Sequence, residues 1–209
     1  MIQATVIFLG QAVVISLSGV MAPGPVTAAT LAAGTRSRHA GALIALGHGI
    51  VEFPLMLLIM AGMGALFELR GVRIGIGLAG GAMLGFMGVQ MLLAARNPVE
   101  AEARTSGRAP LLTGVILTAG NPYFLLWWAT VGLALATRAM ALGVVAFALF
   151  AVIHWLCDLV WLEALSLASF KGSKLLGART QQVVLAVCGA VLVAFGLWFG
   201  WDAGATWLG

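Results

Sequence analysis

From Met1 to Thr35 the chain carries no charged side chain, yet Pro23-Gly24-Pro25 stands inside this run. A stretch so apolar asks to be one buried helix, and a proline inside a helix removes a backbone hydrogen bond and clashes with the preceding turn, at about 3 kcal/mol. In lipid the freed groups find no water, so such a break survives only where protein covers it or a wet cavity adjoins it. The feature therefore predicts a membrane helix broken on purpose.

The rest of the sequence supports a lipid solvent. Only 9% of residues are charged and the mean hydropathy is +1.07, against about 25% charged residues in soluble domains. The net charge of +4 is no sign of nucleic-acid binding in so apolar a chain, because membrane proteins concentrate basic residues in cytoplasmic loops. No Lys or Arg precedes Arg36, so the first apolar run lacks the basic start of a signal peptide and reads as a mature span. Cys157 and Cys188 have no CxxC spacing and both sit in apolar stretches, as buried thiols do.

Charges punctuate six apolar segments, roughly 4–34, 41–67, 74–95, 111–137, 139–169 and 181–201, each long enough to cross a hydrocarbon core that takes about 20 residues. Loops one, three and five hold Arg36, Arg38, Arg96, Arg104, Arg108, Lys171, Lys174 and Arg179; loops two and four hold Arg70, Arg73 and Arg138. That bias puts the odd loops in the cytoplasm and both termini outside, in a plasma (inner) membrane. The polar linker 96–110 divides the chain into halves, 1–95 and 111–209. Three spans per half, if the halves are repeats, must be inserted with opposite orientation. The expected fold is all-α and polytopic: six transmembrane helices as a 3+3 inverted repeat, the first and fourth broken by proline.

The halves share an order of features. The first span of one has Pro23-Gly24-Pro25; the first span of the other has Asn121-Pro122. The second spans carry His48 with Glu52 and His154 with Asp158, each pair four residues apart and so on one helical face. Pro25 and Pro122 suit the first position of a new half-helix, capped by Gly24 and Asn121, whose free N–H groups and dipole would receive a carboxylate. Gly24 is expected to supply backbone angles and close approach that a side chain would block. Glu52 and Asp158 suit an ammonium or a proton, and His48 and His154 can carry charge near neutral pH. One carboxylate that takes either a proton or a substrate is the minimal antiporter. Glu163, five residues beyond Asp158, faces away and is expected to pair with Lys171 or Lys174. Trp127, Trp128, Trp155 and Trp161 read as packing more than as cavity lining, and Trp198, Trp201 and Trp207 as interface anchors. Gly77, Gly81 and Gly85, and Gly41, Ala45 and Gly49, have the four-residue spacing of closely packed membrane helices.

These motifs resemble the LysE-type (lysine exporter family) amino-acid exporters over nearly the whole chain. The resemblance rests on Pro23-Gly24-Pro25, on Gly34, Arg36 and Gly41 in the loop "GTRSRHAG", on Gly47 followed by Glu52, and on Asn121-Pro122. Tyr123 stands where the family often has Lys, and Glu52 where Asp is more usual. The resemblance implies efflux of amino acids or similar small solutes driven by the proton-motive force. Pro23, Gly24, Pro25, Glu52, Asn121, Pro122, Tyr123 and Asp158 are then the expected substrate contacts, with Glu52, Asp158, His48 and His154 coupling protons. Partners are the amino acid, protons and the lipid bilayer; a homodimer is compatible, and neither nucleic acid nor a cofactor or resident metal is expected. The alternative is a divalent-cation exporter using the His48/Glu52 and His154/Asp158 pairs as ligands, which positive half-helix ends would oppose. No nucleophile–base pattern, P-loop or cofactor motif points to an enzyme.

Overall fold

The computed structural model describes residues 2–21, 24–62, 69–96, 109–176 and 178–208. All regular structure among them is helical. In chain order the elements are α1 (Ile2–Val20), α2 (Pro25–Gly34), α3 (Ala40–Met60), α4 (Arg70–Arg96), α5 (Pro110–Ala119), α6 (Pro122–Trp127) continuing through a π turn (Trp128–Gly132) into α7 (Leu133–Ala141), α8 (Val144–Leu176) and α9 (Ala178–Leu208). Among the described residues, five stretches are long and apolar enough to cross a membrane: Ala40–Met60, Arg70–Arg96, Tyr123–Ala141, Val144–Ser173 and Gln182–Trp207. The first apolar segment is divided into α1 and α2, and the fourth into α5 and the helix that follows. The linker expected at 96–110 and the far end of the second span, 63–68, fall almost wholly outside the described residues, as does Pro23.

Both breaks have the anatomy their residues dictate. Gly24 is the N-cap of α2 and Pro25 its first residue, where a missing N–H costs nothing. Asn121 caps α6, its side-chain Oδ1 accepting from Tyr123 N–H at 3.1 Å. Gly24 sits at φ −158°, extended backbone open to any residue, so the expected need for glycine-only angles there is not met. The short arms α2 and α5 are each 10 residues long, about 15 Å at 1.5 Å per residue, and they pack against each other. Gly24 and Pro25 at the first break and Asn121 at the second line one cavity.

Packing follows the small residues. α4 and α9 run together along an extended interface, where a Cβ on Gly88 would come within 2.6 Å of the Gly189 carbonyl and one on Gly196 within 2.7 Å of the Gly81 carbonyl. α3 meets α5 where a Cβ on Gly47 would strike the Leu111 carbonyl, and meets α8 where one on Gly41 would strike Leu162. Without a hydrophobic force between helices in lipid, such close backbone approach is what gives dispersion its reach. A serine row on α8 secures the end of α2: Ser169 donates to the Leu31 carbonyl at 2.7 Å, Ser173 to Thr35 at 3.0 Å and Ser166 to Ser37 at 3.1 Å. The Leu31 and Ser37 carbonyls also accept from the Thr35 and Ala40 N–H groups, so the serines add second partners where α2 ends. The largest core cluster joins α1, α3, α6–α8 and the π turn through Phe8, Met56, Trp128 and Phe150.

Lys171 or Lys174 is the expected partner of Glu163; the partners found among the described residues lie at the start of α3. Its carboxylate pairs with His39 and accepts from the Ala42 N–H at 2.9 Å. The first turn of α3 leaves its N–H groups unpaired within the helix, and a carboxylate across from it is the natural acceptor.

Candidate functional site

A cavity of about 270 Å3 opens where the breaks meet the second spans of the two halves. Gly24 and Pro25 from the start of α2, Asn121 and Tyr123 from the second break, and His48, Glu52, His154 and Asp158 all line it. The first turn of α2 thus turns its positive end toward the same space as the two acids. Nearly every residue expected to bind substrate is gathered here. Pro23 lies outside the described residues, and Pro122 contributes the backbone start of α6.

The four ionisable residues form one cluster. α3 carries His48 and Glu52 one turn apart; α8 carries His154 and Asp158 one turn apart. The Nε2 atoms of both histidines converge on one oxygen, Glu52 Oε1, at 3.1 and 3.2 Å. Asp158 completes the ring, 3.8 Å from each imidazole. All four are buried, Glu52 completely. A buried ion pair stabilises a fold little once desolvation is counted, and ionisable groups at membrane depth normally mark a substrate or proton path.

Three residues of the site were not singled out as chemistry from the sequence. Trp128, read as packing, donates its indole N–H to Glu52 Oε1 at 3.2 Å. It does so from the π turn, where its ring lies over Gly132; a Cβ at 132 would occupy the ring's space. Extra-wide turns of this kind recur at functional sites. Thr118 Oγ1 lies 2.9 Å from His48 Nδ1, and Ser16 Oγ lies 2.7 Å from His154 Nδ1. Each hydroxyl sits on a broken span just before its break, and each serves the histidine of the opposite half. Aromatic rings fix the imidazole planes: Trp127 stacks on His154 at 5.2 Å and Phe124 stands edge-on to His48 at 5.0 Å. Trp127 and Trp128 line the cavity, as does Trp198, which also keeps much of its surface outward. Trp155 belongs to packing, donating to the Ala45 carbonyl at 2.9 Å.

The wall is mostly apolar, from Val20, Val26, Phe124, Phe195 and the tryptophans. Such a chamber can hold a small solute by one polar end, and the hydroxyl-backed imidazoles can relay protons to and from the carboxylates.

The model of one family, the LysE type translocator, matches residues 17–202. Neither the curated proteins nor the solved structures give a match to the chain.

Proposed function

Because the chain belongs to the LysE type translocator family, we propose that it exports amino acids or similar small zwitterionic solutes in exchange for protons. The carrying observation is the convergence of His48, Glu52, His154 and Asp158 on one buried cluster beside two capped helix breaks. In this reading the substrate carboxylate meets the first turn of α2 and its ammonium meets Asp158 or Glu52. Protons arriving at the same carboxylates displace the ammonium, so the two loads cross in opposite directions.

The reading includes six spans in a 3+3 inverted repeat, the first and fourth broken. Exchanging the halves turns His48 into His154, Glu52 into Asp158, Thr118 into Ser16, and the pairing of α3 with α5 into that of α8 with α1. That exchange relation supports the repeat, and with it a mechanism in which the two breaks act as opposed hinges around one cavity. Orientation with the termini outside, in the plasma membrane, rests on the loop charges alone. Efflux from proteoliposomes loaded in turn with each of the twenty amino acids, with and without a pH gradient, tests the proposal. Export of one group of amino acids, accelerated by inward proton drive, is expected; gradient-independent leakage of all of them equally would defeat it.

A further inference from the structure

We propose that His48, Glu52 and Asp158 also bind a divalent transition-metal ion of the Zn2+ class, with His154 at its side, and that the ion bridges the two halves. The inference rests on the geometry of the cluster and holds whichever solute is exported. Candidate ligand atoms of the three residues all lie within 4.8 Å of one another. His48 Nε2 is 3.1 Å from Glu52 Oε1 and 3.8 Å from Asp158 Oδ1. Metal bonds to imidazole and carboxylate of about 2.0–2.2 Å put neighbouring tetrahedral ligand atoms about 3.4 Å apart, and the two observed separations bracket that value.

Three further features point the same way. Each acid keeps a buried oxygen with no hydrogen-bond partner, Glu52 Oε2 and Asp158 Oδ2, and both residues line the cavity at 0% and 7% exposure. A buried acceptor without a donor is costly, and a cation supplies what is missing. The Nδ1 atoms of both histidines are held by hydroxyls, Thr118 and Ser16, so the Nε2 atoms face the carboxylates. Outer partners on the far nitrogen are how metal-binding imidazoles are oriented. A hydroxyl can accept from Nδ1–H when Nε2 binds metal, and donate to Nδ1 when Nε2 carries the proton. Finally, two carboxylates beside two neutral imidazoles carry a charge of about −2, which a divalent ion neutralises; the ion then stands in for the protons of the metal-free cluster. This balance answers the positive end of α2 that would otherwise repel a cation. His48 and Glu52 belong to α3 and Asp158 to α8, so a bound ion ties a helix of one half to a helix of the other.

The test is a titration of the purified, detergent-solubilised full chain with Co2+, read by visible d–d absorption, followed by Zn2+. The unmodified protein should develop the intense band of a low-coordinate nitrogen–oxygen site, saturate at a single equivalent, and be bleached by Zn2+. His48→Gln and Asp158→Asn should each weaken binding at least tenfold, about 1.4 kcal/mol. Thr118→Val, which touches no ion, should weaken it about tenfold through the imidazole. Glu163→Gln, in the separate pair with His39, should change nothing. A spectrum of the unmodified protein no different from aqueous Co2+ overturns the proposal without any variant. So does a band that survives His48→Gln at full strength, or one lost in Glu163→Gln.

Discussion

Glu52 is the residue on which the site turns, because one of its oxygens meets two imidazoles and an indole. Glu52→Gln keeps an acceptor for these donors and the shape of the side chain but cannot exchange a proton. Proton-driven efflux is expected to fall to background while the protein elutes from size exclusion as the parent does. Undiminished efflux driven by a pH gradient would remove Glu52 from the coupling. The paired spacing of His48 with Glu52 and His154 with Asp158 made these residues legible in the sequence, because an ionisable group in an apolar span is conspicuous by its cost. Ser16, Thr118 and Trp128 were not legible as chemistry. A hydroxyl in a membrane helix commonly bonds its own preceding turn, and a tryptophan fills space in any core. Only the fold shows which serine and threonine look across to the other half. Glu163 misled for the reverse reason: the lysines are near in sequence, but it is the start of α3, far away along the chain, that meets the carboxylate.

Among the elements, the breaks were readable and the joints between helices less so. Proline, glycine and asparagine announce helix starts by what they cannot or can do locally, and α2 and α6 begin at Pro25 and Pro122. The π turn at Trp128–Gly132 has no comparable local signal. α8 also outruns the apolar stretch, continuing to Leu176 past Lys171, because Ser173 gains the Thr35 carbonyl by staying helical. The repeated small residues did foretell close packing, though Gly85 has open space at its own Cβ position, while Gly88 takes up the contact with Gly189. This separates two substitutions that look alike in sequence. Gly47→Ala would drive a methyl into the Leu111 carbonyl and should destabilise by about 1–3 kcal/mol. Gly75→Ala meets nothing within 4 Å and should leave the melting temperature in detergent unchanged or slightly raised. Equal melting temperatures for the two variants would mean that α3 and α5 do not touch as described.

For the whole molecule, the proposed orientation is the simplest claim to check. Single cysteines introduced in the 97–108 segment of a variant lacking Cys157 and Cys188 should resist an impermeant thiol reagent added to intact cells. They should react once the cells are broken; reaction from outside would invert the topology. The crossed partnership of hydroxyl and imidazole carries a different consequence. His48 leans on Thr118 and His154 on Ser16, and the carboxylates of α3 and α8 share the same ring. Neither half therefore owns a finished site: each is a key cut for the other's lock. A gene split within residues 96–110, the linker expected from the sequence, should give two fragments that are silent apart and active when made together. Pairing a fragment bearing Ser16→Ala with an unaltered partner should disturb the histidine encoded by the partner. On the proposed repeat, the exchange of hydroxyls across the middle is the seam at which the two halves complete one another.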